Sequence, residues 1–160
     1  MNESIELIDV SGGRPQMDEV RDLFLEYAAS LDFSLCFQNF DVEVRQLPGE
    51  YAPPSGRIIL CRINGQTAGC IALKPLSKGI CEMKRLFVRP AFRRKKLGLC
   101  LASRLIQEAK EIGYHSMRLD TIAGTMEGAI ALYRSLGFRE IPAYYENPIP
   151  NAVYLELRLE

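Results

Sequence analysis

Between Lys84 and Lys96 the chain carries Lys84, Arg85, Arg89, Arg93, Arg94, Lys95 and Lys96 and no acid. The 160-residue sequence balances 20 basic against 20 acidic side chains, so this run is a strong local asymmetry. It falls between a predicted buried strand and the start of an amphipathic helix pattern. Such a junction aims backbone N–H groups and the positive end of a helix at one spot, which suits a phosphate or pyrophosphate. Gly98 leaves room for close approach. The plain alternative is a solvated basic loop, and Arg93-Arg94-Lys95-Lys96 is too short to specify nuclear import. No G-x-x-x-x-G-K-[ST] occurs, and no G-x-G-x-x-G follows a predicted strand, so the common nucleotide loops are excluded.

Other reactive side chains are sparse. Cys36, Cys61, Cys70, Cys81 and Cys100 form no C-x-x-C, and His115 is the single histidine. A zinc site needs clustered thiolates or imidazoles, so no metal is expected. Reduced cysteines in a cytoplasmic protein, most of them buried, are the expectation; a cysteine nucleophile would have only His115 as its base. Glu82 and Asp120 are carboxylates inside otherwise apolar strand segments, where burial raises the pKa of a carboxyl group. Each serves equally well as a general base or as an ion-pair partner of Lys84, Arg85 or Arg118.

The elements that must position these groups follow from periodicity. Composition is 48% hydrophobic and 25% charged, which fits one globular domain over 1–160. Zero net charge excludes a nucleic-acid binder acting through bulk field, and apolar runs such as Ile58 to Cys61 are too short to span a membrane. Glu3, Glu6 and Asp9 stand where a signal peptide would need basic and apolar residues. A strand is expected over 5–10, then a helix with Val20, Leu23, Phe24, Tyr27, Ala28 and Leu31 on one face. A second helical pattern carries Phe37, Phe40, Val44 and Leu47. Strands over 57–63 and 66–73 flank Asn64-Gly65, a type I′ hairpin signal. A strand over 80–88 ends at Pro90, and a helix beginning near Leu97 closes at Gly113. A strand over 114–121 precedes a helix capped by Thr125 and Gly137, and strands over 138–141 and 152–159 complete the chain. The order β-α-α-β-β-β-α-β-α-β-β mixes hairpins with helical crossovers and predicts an α/β (α+β) chain with a mixed sheet.

Two segments then resemble a known family. Leu86-Phe87-Val88-Arg89-Pro90-Ala91-Phe92-Arg93-Arg94-Lys95-Lys96-Leu97-Gly98 is similar to the cofactor motif L-x-V-x-P-x-x-R-G-x-G-I-G of the GCN5-related N-acetyltransferases (GNAT). Ala129-Ile130-Ala131-Leu132-Tyr133-Arg134-Ser135-Leu136-Gly137-Phe138 resembles their A-I-x-L-Y-x-x-L-G-F. The resemblance implies a mixed, mostly antiparallel sheet of six to seven strands flanked by about four helices. It implies acetyl-CoA as co-substrate, with the backbone of Leu86, Phe87 and Val88 pairing with the pantetheine arm. The amides of Arg93, Arg94, Lys95, Lys96, Leu97, Gly98 and Leu99 would then cradle the pyrophosphate. Tyr133 would protonate the departing sulfur, a main-chain N–H near Val88 would hold the oxyanion, and Glu82 or Asp120 would be the base. Arg94 and Lys96 replace glycines of the motif, so a positive φ at either would strain the loop. Met126 replaces an asparagine that contacts the cofactor arm.

Acyl transfer from a thioester needs a free amine, an oxyanion donor and a proton for the thiolate, and no metal. The expected activity is acetylation of a primary amine on a small molecule, amino-acid-like metabolites included. A protein or peptide acceptor and a non-catalytic acyl-CoA sensor are the alternatives. The acceptor would meet the first two helices, the loop over 50–56 and the segment Tyr144-Tyr145-Glu146-Asn147-Pro148. Those regions offer Tyr27, Phe33, Phe37, Tyr51, Tyr144 and Tyr145, with Asp32, Glu50 and Glu146 to attract a cation. Neither nucleic acid nor membrane is expected as a partner, and the last strand either pairs across a homodimer or closes the sheet.

Overall fold

The computed structural model describes residues 4–12, 15–93, 95–124 and 127–159, without the side chains of Phe37 and Glu127. Arg94, Thr125 and Met126 therefore lie outside the described residues. Seven strands, β1 (Ile5–Asp9), β2 (Arg57–Ile63), β3 (Gln66–Ser77), β4 (Ile80–Val88), β5 (Ser116–Ile122), β6 (Arg139–Ile141) and β7 (Ala152–Arg158), form one sheet in the order β1-β2-β3-β4-β5-β7-β6. Four helices flank it: α1 (Met17–Ser30), α2 (Phe40–Arg45), α3 (Leu97–Ile112) and α4 (Glu127–Ser135). Every strand pair is antiparallel except β4 with β5. The mixed, mostly antiparallel sheet is the one the sequence predicts. β7 has partners on both edges, so the last long strand closes the sheet.

The turn chemistry works locally. Asn64 and Gly65 take φ of 50° and 81°, as a type I′ hairpin requires, and Gly113 ends α3 at φ 109°. The second helical pattern breaks into a 3-10 turn over Cys36–Gln38 and the short α2, because Asn39 between them adopts φ 55°. Leu97, Leu101, Leu105 and Ala109 of α3 pack on one sheet face with Met83, Met117 and Leu155. Val20, Leu23 and Phe24 of α1 and Phe40 and Val44 of α2 pack on the other with Ile58, Leu60 and Phe87. Each buried leucine or phenylalanine contributes roughly 1.5–3 kcal/mol to holding its layer.

Two irregularities open the sheet at its centre. β4 and β5 pair only over Ile80–Glu82 and Ser116–Arg118, and beyond that point β5 offers β4 no ladder partner. The register of β4 against β3 also shifts between Cys70 and Ala72, and opposite that shift Arg85 takes φ 62°. This is a bulge: an extra residue turns two consecutive side chains to one face and bends the strand. Lys84 and Arg85 both point toward the α1/α2 layer, where they meet Gln38 and Glu43. Leu86 and Val88 return to the α3 side. Gly69 permits the bend, since a Cβ there would sit 2.5 Å from the Phe87 carbonyl oxygen.

Candidate active site

The divergence of β4 and β5 forms a cleft of about 640 Å³. Its walls come from Leu86, Phe87 and Val88 on β4, from Leu119 and Asp120 on β5, and from Ala129, Leu132 and Tyr133 on α4. Tyr27, Leu31, Phe33, Leu35 and Gln38 close its far end on the α1 side. A volume of this size is typical of small-ligand sites. Along 83–88 the β5-facing edge of β4 is free of strand pairing, so an extended ligand arm can bind there as an added strand. Arg93 and Gly98 line the mouth, and a shallower depression beside it is lined by Phe92, Lys96 and Leu97.

The basic run is far less cationic in space than in sequence. Arg89 is held by Glu26 through a bidentate pair at 2.9 and 2.7 Å. Arg85, 4% exposed, is gripped by both oxygens of Glu43 at 2.8 Å and lies over the Phe40 ring. Burial works against its charge, but the Glu43 hydrogen bonds outweigh it and its pKa rises. Arg93 bonds the Val88 carbonyl at 3.0 Å beside the cleft mouth, while Lys95 and Lys96 are exposed. Lys96 begins α3 at φ 59°, a left-handed residue where the family motif has glycine. Leu97 points into the core, and Leu99 is 39% exposed without lining the cleft. A Cβ at Gly98 would touch Leu132 at 3.4 Å, so this glycine also seats α3 against α4.

The two candidate carboxylates separate. Asp120 lines the cleft and accepts hydrogen bonds from the Tyr145 hydroxyl and, at 2.8 Å, from Asn147 Nδ2. Glu82 is 4% exposed and does not line it; its Oε2 accepts the Tyr144 hydroxyl at 2.6 Å, and Lys74 stands 3.9 Å from its Oε1. Tyr144, Tyr145 and Tyr154 pack edge to face, with centroids 5.3–5.7 Å apart, so segment 144–147 is fastened over these carboxylates. Burial and the adjacent carboxylates push both latch phenols upward in pKa, keeping them protonated donors.

Tyr133 sits opposite β4, 8% exposed, with its ring tilted on Phe138 at 5.8 Å. Burial raises the pKa of its phenol, so it stays protonated at any working pH. Tyr51 is core, edge-on to Phe24, while Asp32, Glu50 and Glu146 lie outside the cleft lining. Thiol chemistry does not converge here. Cys61 and Cys81 are pushed by burial to about 11 and about 12, Cys70 higher still, and His115 is exposed with its ring against Gly79. Among the described residues no group of three or more His, Cys, Asp or Glu could hold a metal ion, and no helix is long and apolar enough to cross a membrane.

Sequence reasoning did not single out Lys84, Gln38 and Asn147 as residues that line the cleft. Lys84 was counted with the phosphate-side cations, and nothing local marks Gln38, whose partner lies 46 positions away. Asn147 carried a signal only as a member of the segment assigned to the acceptor.

Residues 17–138 match the sequence model of the acetyltransferase (GNAT) family. The chain belongs to the GNAT family. It is 43% identical over 145 residues to an uncharacterized N-acetyltransferase of Schizosaccharomyces pombe, covering 89% of this chain and 88% of that one. A second uncharacterized N-acetyltransferase, from Dictyostelium discoideum, is 31% identical over 91% of this chain and 95% of its own length. Among solved structures, a Staphylococcus aureus acetyltransferase of the GNAT family superposes with TM-score 0.78 at 22% identity, covering 98% of this chain and all of its own. The Salmonella typhimurium protein yncA, solved with its cofactor acetyl-CoA, gives TM-score 0.68 at 21% identity, covering 100% of this chain and 95% of that one. The enzyme is therefore an acyltransferase of the acetyl-CoA-dependent N-acetyltransferase type, and the opened edge of β4 beside α3 fits that co-substrate.

Proposed function

We propose that the enzyme moves an acetyl group from acetyl-CoA to the primary amine of a small molecule. The observation that carries this reading is the shape of the cleft. One cleft is lined by the unpaired edge of β4, by Tyr27, Phe33 and Leu35, and by Asp120 and Tyr133. Its total volume of about 640 Å³ must hold the acyl end of the co-substrate as well as the acceptor, which favours a compact acceptor over a protein tail.

The thioester supplies an already activated acyl group. Asp120 takes the proton of the incoming ammonium, directly or through a water, and Tyr145 and Asn147 fix its carboxylate for that purpose. A main-chain N–H near Val88 stabilises the developing oxyanion, and the backbone of Leu86, Phe87 and Val88 aligns the donor arm. The hydroxyl of Tyr133 delivers its proton to the leaving sulfur. The second proton of the attacking nitrogen passes to the resulting phenolate, directly or through water, as the tetrahedral intermediate collapses. A phenol is a weaker acid than a thiol in water by about 1.5 pKa units. The transfer therefore depends on the thiolate being desolvated in the same cleft. Arg93, Lys95, Lys96 and the first amides of α3 surround the pyrophosphate. The free cysteines suit a reducing compartment, and we place the enzyme in the cytoplasm.

Thermal unfolding with acetyl-CoA, free CoA and ATP tests the reading. Acetyl-CoA at a hundredfold excess over Kd is expected to add about 2.7 kcal/mol, or roughly 5–10 °C in Tm. No shift at millimolar acetyl-CoA, or an equal shift with ATP, defeats it.

A further inference from the structure

Lys84 is a buried cation at the acceptor end of the cleft, and the protein leaves it under-satisfied. Its side chain is 8% exposed and lines the cleft. An ammonium carries three donors. One reaches Gln38 Oε1 at 3.0 Å. Glu82 Oε1, at 4.0 Å, is too distant for a hydrogen bond, and the other oxygen of that carboxylate is taken by Tyr144. The neighbouring residue shows the contrast: Arg85 is buried more deeply, and a carboxylate meets its charge directly through the bidentate pair with Glu43. A buried ammonium short of acceptors is costly, and the cleft is where an acceptor can arrive. Burial pushes the Lys84 pKa down, the direction expected of a cation awaiting its counter-ion.

We infer that the acceptor is an amine carrying a carboxylate, an amino acid with an apolar side chain, and that Lys84 is the residue that selects it. This rests on the proposed acetyl transfer and adds the substrate class. The amine of such a molecule faces Asp120, the carboxylate meets the remaining donors of Lys84 beside Gln38, and Tyr27, Phe33 and Leu35 surround the apolar side chain. Asp120 and Lys84 line the same cleft, one a carboxylate and the other a cation, as a zwitterion needs.

The test uses the full chain with acetyl-CoA and three related panels read by mass spectrometry. The first holds L-phenylalanine, L-leucine and L-methionine; the second their amides; the third the decarboxylated amines, with spermidine added. The free acids are expected to show kcat/KM at least about tenfold above their amides and amines, the scale of one charge-assisted hydrogen bond. Lys84→Met is expected to erase that preference by raising KM for the acids about 10- to 100-fold. KM for the amides and the acetyl-CoA thermal shift should stay in place, and Lys84→Arg should restore part of the preference. A wild-type enzyme that turns over amides or amines as well as acids overturns the inference, as does one that acetylates spermidine alone or none of the panel. So does a Lys84→Met enzyme that loses acetyl-CoA binding. Absence of any acetyl-CoA thermal shift in the wild type marks the separate failure of the proposed transfer itself. The wild-type panel is decisive whether or not the Lys84 variants fold.

Discussion

Replacing Tyr133 by Phe separates a catalytic hydroxyl from a core aromatic, because the two roles predict opposite results. The ring is 8% exposed and packs on Phe138, and both properties survive the substitution. The hydroxyl has no hydrogen-bond partner among the described residues and Tyr133 lines the cleft, so its removal breaks no bond and relieves no buried polar atom. Tyr133→Phe is therefore expected to leave stability within about 0.5 kcal/mol of wild type, or about 1–2 °C in Tm at this chain length. Turnover does not stay in place. Loss of a positioned acid typically costs about 10²–10⁴ in rate, roughly 3–5 kcal/mol of barrier. The acetyl-CoA thermal shift should match that of the wild type, since the hydroxyl meets the sulfur only as the bond breaks. Product should be measured by mass spectrometry, because Cys36 is exposed and Cys100 half-buried, and both would consume a thiol reagent. A kcat within about threefold of wild type would refute the acid role, since it would fall far outside that rate range. A Tm loss of more than about 5 °C would show a structural hydroxyl instead.

Other substitutions bear on the remaining assignments. Asp120→Asn should lower kcat/KM by about 10²–10⁴, whereas Glu82→Gln, outside the cleft lining, should cost less than about tenfold. Steady-state kinetics showing the reverse order would move the base to Glu82. Lys96→Gly removes a left-handed non-glycine residue at φ 59°. Relief of about 1–2 kcal/mol of strain, set against about 0.5–1 kcal/mol of added chain entropy, should raise Tm by up to about 4 °C in calorimetry. A lower Tm would mean that the lysine side chain anchors the loop.

What the sequence made legible was set by local chemistry. Asn64-Gly65, Gly113 and Gly137 fixed turns and helix ends because positive φ has few tolerant residue types, and each is found at φ between 50° and 109° as expected. The proposed cofactor residues came by a different route, a family resemblance of two motifs, one of them tied to a strand–loop–helix junction. The bulge at Arg85 was not, since an arginine at φ 62° inside an apolar strand has no local signature. Nor was the fate of the basic run, because Glu43 and Glu26 reach Arg85 and Arg89 from 42 and 63 residues away. Glu82 and Asp120 looked equivalent for want of one fact, that β4 and β5 diverge so that Asp120 lines the cleft and Glu82 does not.

The adjacent cations Lys84 and Arg85 show how the bulge links fold to selectivity. An unbroken strand would turn them to opposite faces. The bulge, made possible by the close approach at Gly69, brings both to the α1/α2 side. Arg85 then fastens α2 through Glu43 and Phe40, and α2 begins two residues after Gln38. Gln38 is thus held where its Oε1 takes one donor of Lys84 and turns the ammonium toward the cleft. The two residues divide the work: Arg85 is a charge paired in bidentate fashion that fixes geometry, and Lys84 one held by a neutral amide beside the cleft. Buried pairs of this kind add little net stability over apolar packing. Their position beside the cleft therefore points to binding, which is the role the proposed carboxylate-bearing acceptor gives Lys84.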